Sequence, residues 1–469
     1  MTSYNKITPA VLKQLEDIVG SKYVLSDNEN RRNYGHDETE ELVFLPEAIV
    51  KPASAAEVSA ILKLANEFLV PVTPRGAGTG LSGGALPVHS GIILSMERFN
   101  KIIGIDVRNL QATVEPGVIN EVFQNAVKEK GLFYPPDPAS KGSCFLGGNV
   151  AESSGGPKCV KYGTTKDYIL NLEVVLPTGE IIITGANTLK NSTGYNLTQL
   201  MVGSEGTLGI ATKIIVKLLP LPKYDLLMLV PFRSLDEACA AVSEVFRAGF
   251  TPSALELMER DALDWVSRYV KSNVVKLEDD IQAHLLIEVD GNDSDVLMKE
   301  MEAISELLTK YDTAEILFAD SAAQKQELWR LRRSINEAVK SNAVSKEQDT
   351  VVPRAELPQL VKGVKEVGAK YKFKTVCYGH AGDGNLHIRL IKGDLTDEQW
   401  NGDYIKKAIA EIFTICSELG GTISGEHGIG LVQQEYMNIV FSQKALEIQR
   451  AIKKTFDPKN ILNPGKMFC

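Results

Sequence analysis

The sequence is poor in the features that define several large protein classes. No apolar run reaches about 18 residues, the length a membrane-spanning helix needs. The opening stretch MTSYNKITPAVLKQLEDIVG has no signal-peptide apolar core, and the expectation is a cytoplasmic protein. No Lys/Arg-rich run interrupts a chain of net charge −9, so nucleic acid and anionic membranes are not expected partners. The six cysteines, Cys144, Cys159, Cys239, Cys377, Cys416 and Cys469, form no C-x-x-C pair. That excludes an intrinsic iron–sulfur cluster or zinc ribbon of the usual spacing and fits free thiols in a reducing compartment. Solenoid repeats and low-complexity tracts are also missing.

What is present is a long, ordinary globular composition. A chain of 469 residues, 44% hydrophobic and 24% charged, is enough for two or three domains. Thr8 and Pro9 read as the N-cap and first residue of a helix whose apolar face is Val11, Leu12, Leu15, Ile18 and Val19. Ala55 to Phe68 repeats that spacing with Val58, Ile61, Leu62, Leu64 and Ala65. Short β-like runs follow at 91–94, 172–176 and 181–184, which makes the first half an α+β unit. Leu219-Pro-Leu-Pro-Lys223 reads as a linker. Beyond it, strands such as 226–230 and 285–289 alternate with long polar helices. Ser234 with Glu237 and Thr396 with Gln399 read as capping boxes. The expectation there is an antiparallel sheet covered by helices.

Glycine marks the first candidate site. Arg75-Gly-Ala-Gly-Thr-Gly-Leu-Ser-Gly-Gly84 holds five glycines with Thr79 and Ser82. Such a loop lets backbone amides approach an anion closely, and a diphosphate suits it. A dinucleotide loop of the Rossmann type must run straight into a helix, and LSGGALPVHSGII does not. Two further stretches of small residues, 142–156 and 203–209, accompany it, with Tyr134-Pro-Pro-Asp-Pro-Ala-Ser140 just before the first of them. Separated loops of this kind suit one long ligand.

Histidine marks the second. Of six histidines, His380, His387 and His427 sit in the glycine-rich motifs Tyr378-Gly-His-Ala-Gly-Asp-Gly-Asn-Leu-His387 and Ser424-Gly-Glu-His-Gly-Ile-Gly430. A tight loop at Gly382-Asp-Gly384 would bring His380 and His387 together, and Glu426 adds a hard oxygen. Two imidazoles and one carboxylate suit Zn²⁺, Fe²⁺ or Mn²⁺ with positions left for a substrate. His427 is the candidate general base. The alternative makes His427 the third ligand and Glu426 its orienting partner.

PRGAGTGLSGG, PPDPAS, GGNVAESSGGPKCVKYG and GSEGTLGI resemble the FAD-binding domain of vanillyl-alcohol-oxidase-type (PCMH-type) flavoproteins. GHAGDGNLH, GEHGIG and Asn463-Pro-Gly-Lys466 are similar to the C-terminal part of FAD-linked dehydrogenases of D-lactate, glycolate and D-2-hydroxyglutarate. The resemblance implies an α+β fold. Residues 1–45 would be an N-terminal helical segment. Residues 46–222 would form an FAD domain of two α+β subdomains, and 223–425 a cap with an antiparallel sheet under helices. Residues 426–469 would return to the FAD domain. The resemblance further implies FAD contacts at Pro74, Arg75, Gly76, Ala77, Gly78, Thr79, Gly80, Leu81 and Ser82, and at Pro136, Asp137, Ser140 and Ser143. Gly147, Gly148, Asn149, Ser153, Gly155, Gly156, Glu205, Gly209, Ile210 and Asn463 complete that set.

Covalent members of the superfamily often carry a histidine where Thr79 stands, so the implied flavin is non-covalent. The resemblance also makes His380, His387 and Glu426 divalent-metal ligands, His427 the base, and Arg332 the residue that binds a substrate carboxylate. Gln433 replaces a lysine common in the family, and Lys346 aligns ambiguously with its substrate lysines. The implied reaction oxidises a small D-2-hydroxy acid, best matched by D-lactate, with glycolate and D-2-hydroxyglutarate as alternatives. Electrons would leave to a separate acceptor: an electron-transfer flavoprotein, an iron–sulfur subunit or a quinone. A flavin-bearing relay without its own substrate is the competing class.

Overall fold

A computed structural model describes residues 3–39, 42–272, 274–275 and 278–468; Cys469 lies outside them. The chain divides into two units. The first comprises residues 1–155, 164–221 and 426–469, the second residues 156–163 and 222–425. No helix among the described residues is long and apolar enough to cross a membrane.

The first unit is built on two sheets. Strands Ala48–Val50, Ile92–Ser95 and Val72–Arg75 run parallel, with Val24–Leu25 antiparallel at the edge. Helices Pro9–Val19 and Ala55–Phe68 cover this sheet, because their apolar faces, Val11, Leu15 and Val19 with Val58, Ile61, Leu62 and Ala65, are buried against Val50, Val72, Ile92 and Leu94. Thr8 caps the first helix by accepting from the Val11 amide at 3.3 Å. The second sheet is antiparallel, in the order Ile102–Asp106, Gln111–Val114, Ile210–Lys217, Ile169–Val175, Ile181–Ile183. The C-terminal segment joins the first sheet through a bridge between Val72 and Leu462 and a 2.7 Å bond from the Asn463 amide to the Val72 carbonyl. The expected linker is partly structured: Leu219–Pro220 pairs with Leu132–Phe133.

The second unit holds a seven-stranded antiparallel sheet in the order Leu317–Phe318, Tyr224–Phe232, Ala283–Gly291, Ala254–Glu259, Lys374–His380, Asn385–Ile391, Ser345–Val351. One face packs under helices Arg260–Val270, Ala322–Arg333 and Ile335–Asn342, with Leu229, Met258, Leu286 and Tyr378 meeting Leu263, Leu328 and Ile335. Thr396 and Gln399 form the expected reciprocal capping box. At Ser234 only half of it forms, since the Glu237 carboxylate accepts from the Asp312 amide instead.

Residues 156–163 differ from expectation: they belong to this second unit. Lys158 pairs with Glu288, Lys161 with Asp290 at 2.6 Å, and the Tyr162 hydroxyl donates to Asp290 at 2.8 Å. These ion pairs reach about 130 residues along the chain, so no local pattern announces them.

Candidate active site

In the first unit the glycine segments converge. Strand Val72–Arg75 delivers Pro74 and Arg75 to the start of the loop. A side chain added at Gly76 would lie 3.8 Å from the backbone of Gly148. Gly78, at φ +75, leaves room for the Arg75 guanidinium, which a Cβ there would meet at 2.1 Å. Arg75 lies over the Tyr34 ring, 5.6 Å from its centroid, and therefore shapes the loop from beneath. Residues 76–82 have neither helix nor strand structure, as the proline and glycines after Gly80 require.

The second glycine stretch forms the helix Leu146–Glu152. Gly147 fits because its position abuts Pro116, whose carbonyl accepts from the Gly147 amide at 2.7 Å. Asn149 donates to Asn120 at 3.3 Å, and Asn120 donates to the Pro136 carbonyl at 3.0 Å, which ties the Pro136-Asp137 stretch to this helix. Ser140 accepts from the amides of Ser143 and Cys144, both at 2.8 Å. The third stretch joins through bonds from Gly203 to Val150 and from Glu205 to Ala151, at 2.9 and 2.8 Å. Asn463 closes the group by donating to the carbonyls of Gly84 and Glu205 at 3.0 and 2.8 Å.

Gly209 and Ile210 stand apart in character. Gly209 packs against Val174, and Ile210 is a buried strand residue of the hydrophobic core. Gly155 ends the first unit and Gly156 begins the segment held by the second.

Three buried polar atoms around these loops, Ser82 Oγ, Ser153 Oγ and Glu152 Oε2, meet no hydrogen-bond partner among the described residues. Leaving such atoms buried and unpaired is costly. A cradle of glycines with unpartnered hydroxyls fits a ligand that carries phosphates and hydroxyls, as FAD does. Glu152 lies within the second glycine stretch and is not among the candidate residues there. Burial and then the facing Glu205 charge push its carboxyl well above the usual range.

Glu205 anchors the segment that carries the candidate base. Its two oxygens accept from the amides of Ile429 and Gly430 at 2.7 and 2.6 Å. Burial still pushes the Glu205 carboxyl up, against the pull of those two amides and Lys466. Gly428, just before these two amides, has φ +78, where any L side chain is strained, and a Cβ there would lie 2.1 Å from Glu152 Oε2.

In the second unit the hairpin Lys374–His380 and Asn385–Ile391 pairs His380 with Asn385 and Tyr378 with His387. Cross-strand partners share a face, so both imidazoles lie on one side of the sheet. Their ring centroids are 5.4 Å apart, at 81°. Each Nδ1 faces a carboxylate: His380 lies 2.9 Å from both oxygens of Glu256, and His387 lies 3.3 Å from Glu347. A carboxylate beside Nδ1 is the pattern by which metal-binding histidines are oriented, and Nε2 of each ring is then the nitrogen that could ligate a cation.

Arg332, on helix Ala322–Arg333, reaches the same carboxylate, with Nη2 at 2.7 Å from Glu256 Oε2. Nε and Nη2, one edge of the guanidinium, are nevertheless buried and make no hydrogen bond among the described residues. Burial alone would raise the Glu256 carboxyl, but the facing His380 and Arg332 charges outweigh it and hold it below the ordinary value.

Asp349 fastens the remaining piece. It accepts from Asn385 at 2.7 Å, from the Ser424 hydroxyl at 2.9 Å and from the Gly425 amide at 2.8 Å, fixing the backbone immediately before Glu426. Lys346 alternates onto the opposite sheet face and lies over Trp400, 5.2 Å from its ring. Gln433 is buried, with Oε1 unpartnered. Sequence reasoning missed Glu256, Glu347 and Asp349. Only their positions across the sheet connect them to the histidine motif.

Known proteins resemble this chain along nearly its whole length. Residues 46–185 match the model of an FAD binding domain, and residues 221–467 match that of FAD linked oxidases, C-terminal domain. The chain is 40% identical to the glycolate oxidase subunit GlcD of Bacillus subtilis (strain 168), over 99% of this chain and 97% of that one. It is 38% identical to D-lactate dehydrogenase of Anaerostipes hadrus, over 99% and 98%. It is 33% identical to D-2-hydroxyglutarate dehydrogenase of Xanthomonas citri pv. viticola, over 98% and 97%. Among solved structures, p-cresol methylhydroxylase with substrate bound shares the fold at TM-score 0.80 and 19% identity, covering 100% of this chain and 98% of that one. A 4-ethylphenol oxidase from Gulosibacter chungangensis does so at 0.78 and 19%, covering 100% and 99%. With an FAD binding domain of that fold and a matching C-terminal domain, this chain belongs to the FAD-linked oxidase family.

Proposed function

We propose that this protein oxidises a small D-2-hydroxy acid, D-lactate to pyruvate being the best match, and hands the electrons to a separate protein. The observation that carries the reading is the buried edge of Arg332. Two adjacent guanidinium nitrogens that make no hydrogen bond among the described residues, beside a pair of imidazoles, suit a carboxylate with a neighbouring hydroxyl. D-lactate, glycolate and D-2-hydroxyglutarate, which appear in the names of relatives, all carry that functional group.

The residues divide the work. Arg332 binds and orients the substrate carboxylate through paired hydrogen bonds. His380, His387 and Glu426 would hold a divalent cation, Zn, Fe or Mn, whose positive charge acidifies the substrate hydroxyl. His427 takes the hydroxyl proton, with its backbone held by Glu205 through the amides of Ile429 and Gly430. Non-covalent FAD, held by the loops at 74–82, 136–143, 147–155 and 205 with Asn463, would accept the C2 hydride at N5. Cys144, Cys159, Cys239, Cys377 and Cys416 are free thiols, which suits the cytoplasm. The acceptor in this reading is an electron-transfer flavoprotein or an iron–sulfur subunit.

The test is anaerobic. Substrate should bleach the flavin of the wild-type protein, D-lactate more effectively than L-lactate, glycolate or 2-hydroxyglutarate. His427→Ala should remain yellow with full FAD content and fail to bleach. Bleaching at the wild-type rate in that variant refutes the role of His427, and a flavin that no 2-hydroxy acid reduces refutes the reading.

A further inference from the structure

We infer that Glu256 is a positioning residue that couples the metal-side imidazole to the substrate-side guanidinium. The inference rests on the roles proposed above for His380 and Arg332, and it adds a residue that touches neither metal nor substrate.

Glu256 lies mid-strand in Ala254–Glu259, flanked by Leu255 and Leu257, and is 0% exposed. An ionised carboxylate in such a place is strongly disfavoured unless it is paired and hydrogen-bonded. It is paired twice. Both oxygens stand 2.9 Å from His380 Nδ1, and Oε2 stands 2.7 Å from Arg332 Nη2. The surrounding groups on the same face are Tyr378, whose ring lies 5.6 Å from the Arg332 guanidinium, and His387, whose ring lies 5.6 Å from that of Tyr378.

Two consequences follow from one carboxylate facing both an imidazole N–H and a guanidinium. An acceptor at Nδ1 selects the tautomer of His380 that carries its proton there, which frees the Nε2 lone pair for a cation and fixes the ring plane. The same carboxylate faces the guanidinium as an ion pair, Oε2 lying 2.7 Å from Nη2, while Nε and Nη2 make no hydrogen bond among the described residues. Moving Glu256 therefore disturbs cation binding and carboxylate binding together. Coupling of this kind is reciprocal: whatever strengthens the His380–Glu256 contact alters the hold on Arg332, and the reverse.

The replacement that separates this role from simple packing is Glu256→Gln. It is nearly isosteric but uncharged, so it no longer ion-pairs with the guanidinium, and where Glu256 turns two oxygens to His380 it offers one oxygen and an opposing NH₂. Glu256→Asp keeps the charge and both acceptors at a shorter reach. The holoprotein is purified with FAD and equilibrated with graded chelator. Metal content is measured, and the flavin is titrated anaerobically with D-lactate.

For E256Q, metal should be lost at about ten- to a hundredfold lower chelator concentration. The half-saturating substrate concentration should rise alongside it, with FAD content and the visible flavin spectrum unchanged. E256D should recover part of both effects. The inference is overturned if E256Q melts earlier yet keeps wild-type metal retention and half-saturation, because the role is then only structural. Loss of one property without the other also overturns it. The wild-type arm judges the underlying reading separately: a wild-type protein with no bound divalent metal sinks both, whereas a metal-bound wild type with an unaffected E256Q sinks only the role of Glu256.

Discussion

Replacing Arg332 with lysine tests the substrate reading without removing a charge. Arg332 is 6% exposed and lies 2.7 Å from Glu256, so a neutral replacement would leave that buried carboxylate with His380 as its main partner. Breaking a buried pair in that way costs about 3–5 kcal/mol and would confuse a binding defect with unfolding. Lysine keeps the cation but concentrates it at one point, and the two-donor edge is lost. A hydrogen bond to a charged group contributes about 1.5–3 kcal/mol. Losing one of two therefore weakens carboxylate binding about ten- to 150-fold, at about 1.4 kcal/mol per decade.

The assay is anaerobic stopped-flow reduction of the bound flavin across substrate concentrations. In R332K the half-saturating concentration should rise by that factor, with the limiting rate changed less than about tenfold, the pattern of an interaction made in both the bound and the transition state. FAD content should be unaltered. An unchanged half-saturation refutes the assignment of the unsatisfied Arg332 edge to the substrate carboxylate. A fall in limiting rate alone would instead mean that Arg332 acts only in the transition state.

Other perturbations probe the supporting structure. Gly384 turns the hairpin between His380 and His387 at φ +85, and a Cβ would meet the Val352 carbonyl at 1.9 Å. Gly384→Ala should therefore lower the melting temperature by more than the ~1–3 kcal/mol of left-handed strain alone, and it should reduce metal retention. Buried His284 is held neutral, its pKa lowered to about 3 chiefly by burial. Between about 3 and the unfolded value of about 6.5 only the unfolded chain is protonated. Stability is then complete above that upper value and falls by about 1.4 kcal/mol per pH unit below it. His284→Leu should flatten this slope in melts between pH 4 and 7. Glu152 has the opposite sense: its raised carboxyl is protonated in the folded state where the unfolded chain is ionised. Stability is then lost as pH rises above the unfolded value. Glu152→Gln should melt higher than the wild type near pH 8 and equal to it near pH 4. A difference that is the same at both pH values would refute the buried neutral acid.

How much of this molecule was legible depended on whether the pattern was local. Helices Pro9–Val19 and Ala55–Phe68 could be read because apolar side chains at helical spacing sort themselves onto one face. The histidine hairpin could be read because Gly382-Asp-Gly384 admits little but a tight turn. The attachment of residues 156–163 to the second unit could not, since its cause is Lys158 and Lys161 meeting Glu288 and Asp290. Leu219–Pro220 escaped for the same reason, because a proline-rich stretch becomes a strand only when Leu132–Phe133 lies beside it.

The site's supporting carboxylates show a subtler limit. A strand that alternates polar with apolar residues is ordinarily read as half exposed. Strand Ala283–Gly291 alternates His284, Leu286, Glu288 and Asp290 with Ala283, Leu285, Ile287 and Val289, and strand Asn385–Ile391 alternates Asn385, His387 and Arg389 with Leu386, Ile388 and Leu390. Yet all of these residues are buried. A sheet covered on both faces would normally be apolar throughout, so each polar side chain on the inner face has to be held by another. Glu288 takes Lys158 and the Trp329 indole, Glu347 takes Arg389, Asp349 takes Asn385, and Glu256 takes His380 and Arg332. Arg332 in that set has two adjacent nitrogens, Nε and Nη2, that make no hydrogen bond among the described residues. Alternation inside a doubly covered sheet is thus the imprint of a polar site rather than of a solvent face, and only the placement of the helices distinguishes the two.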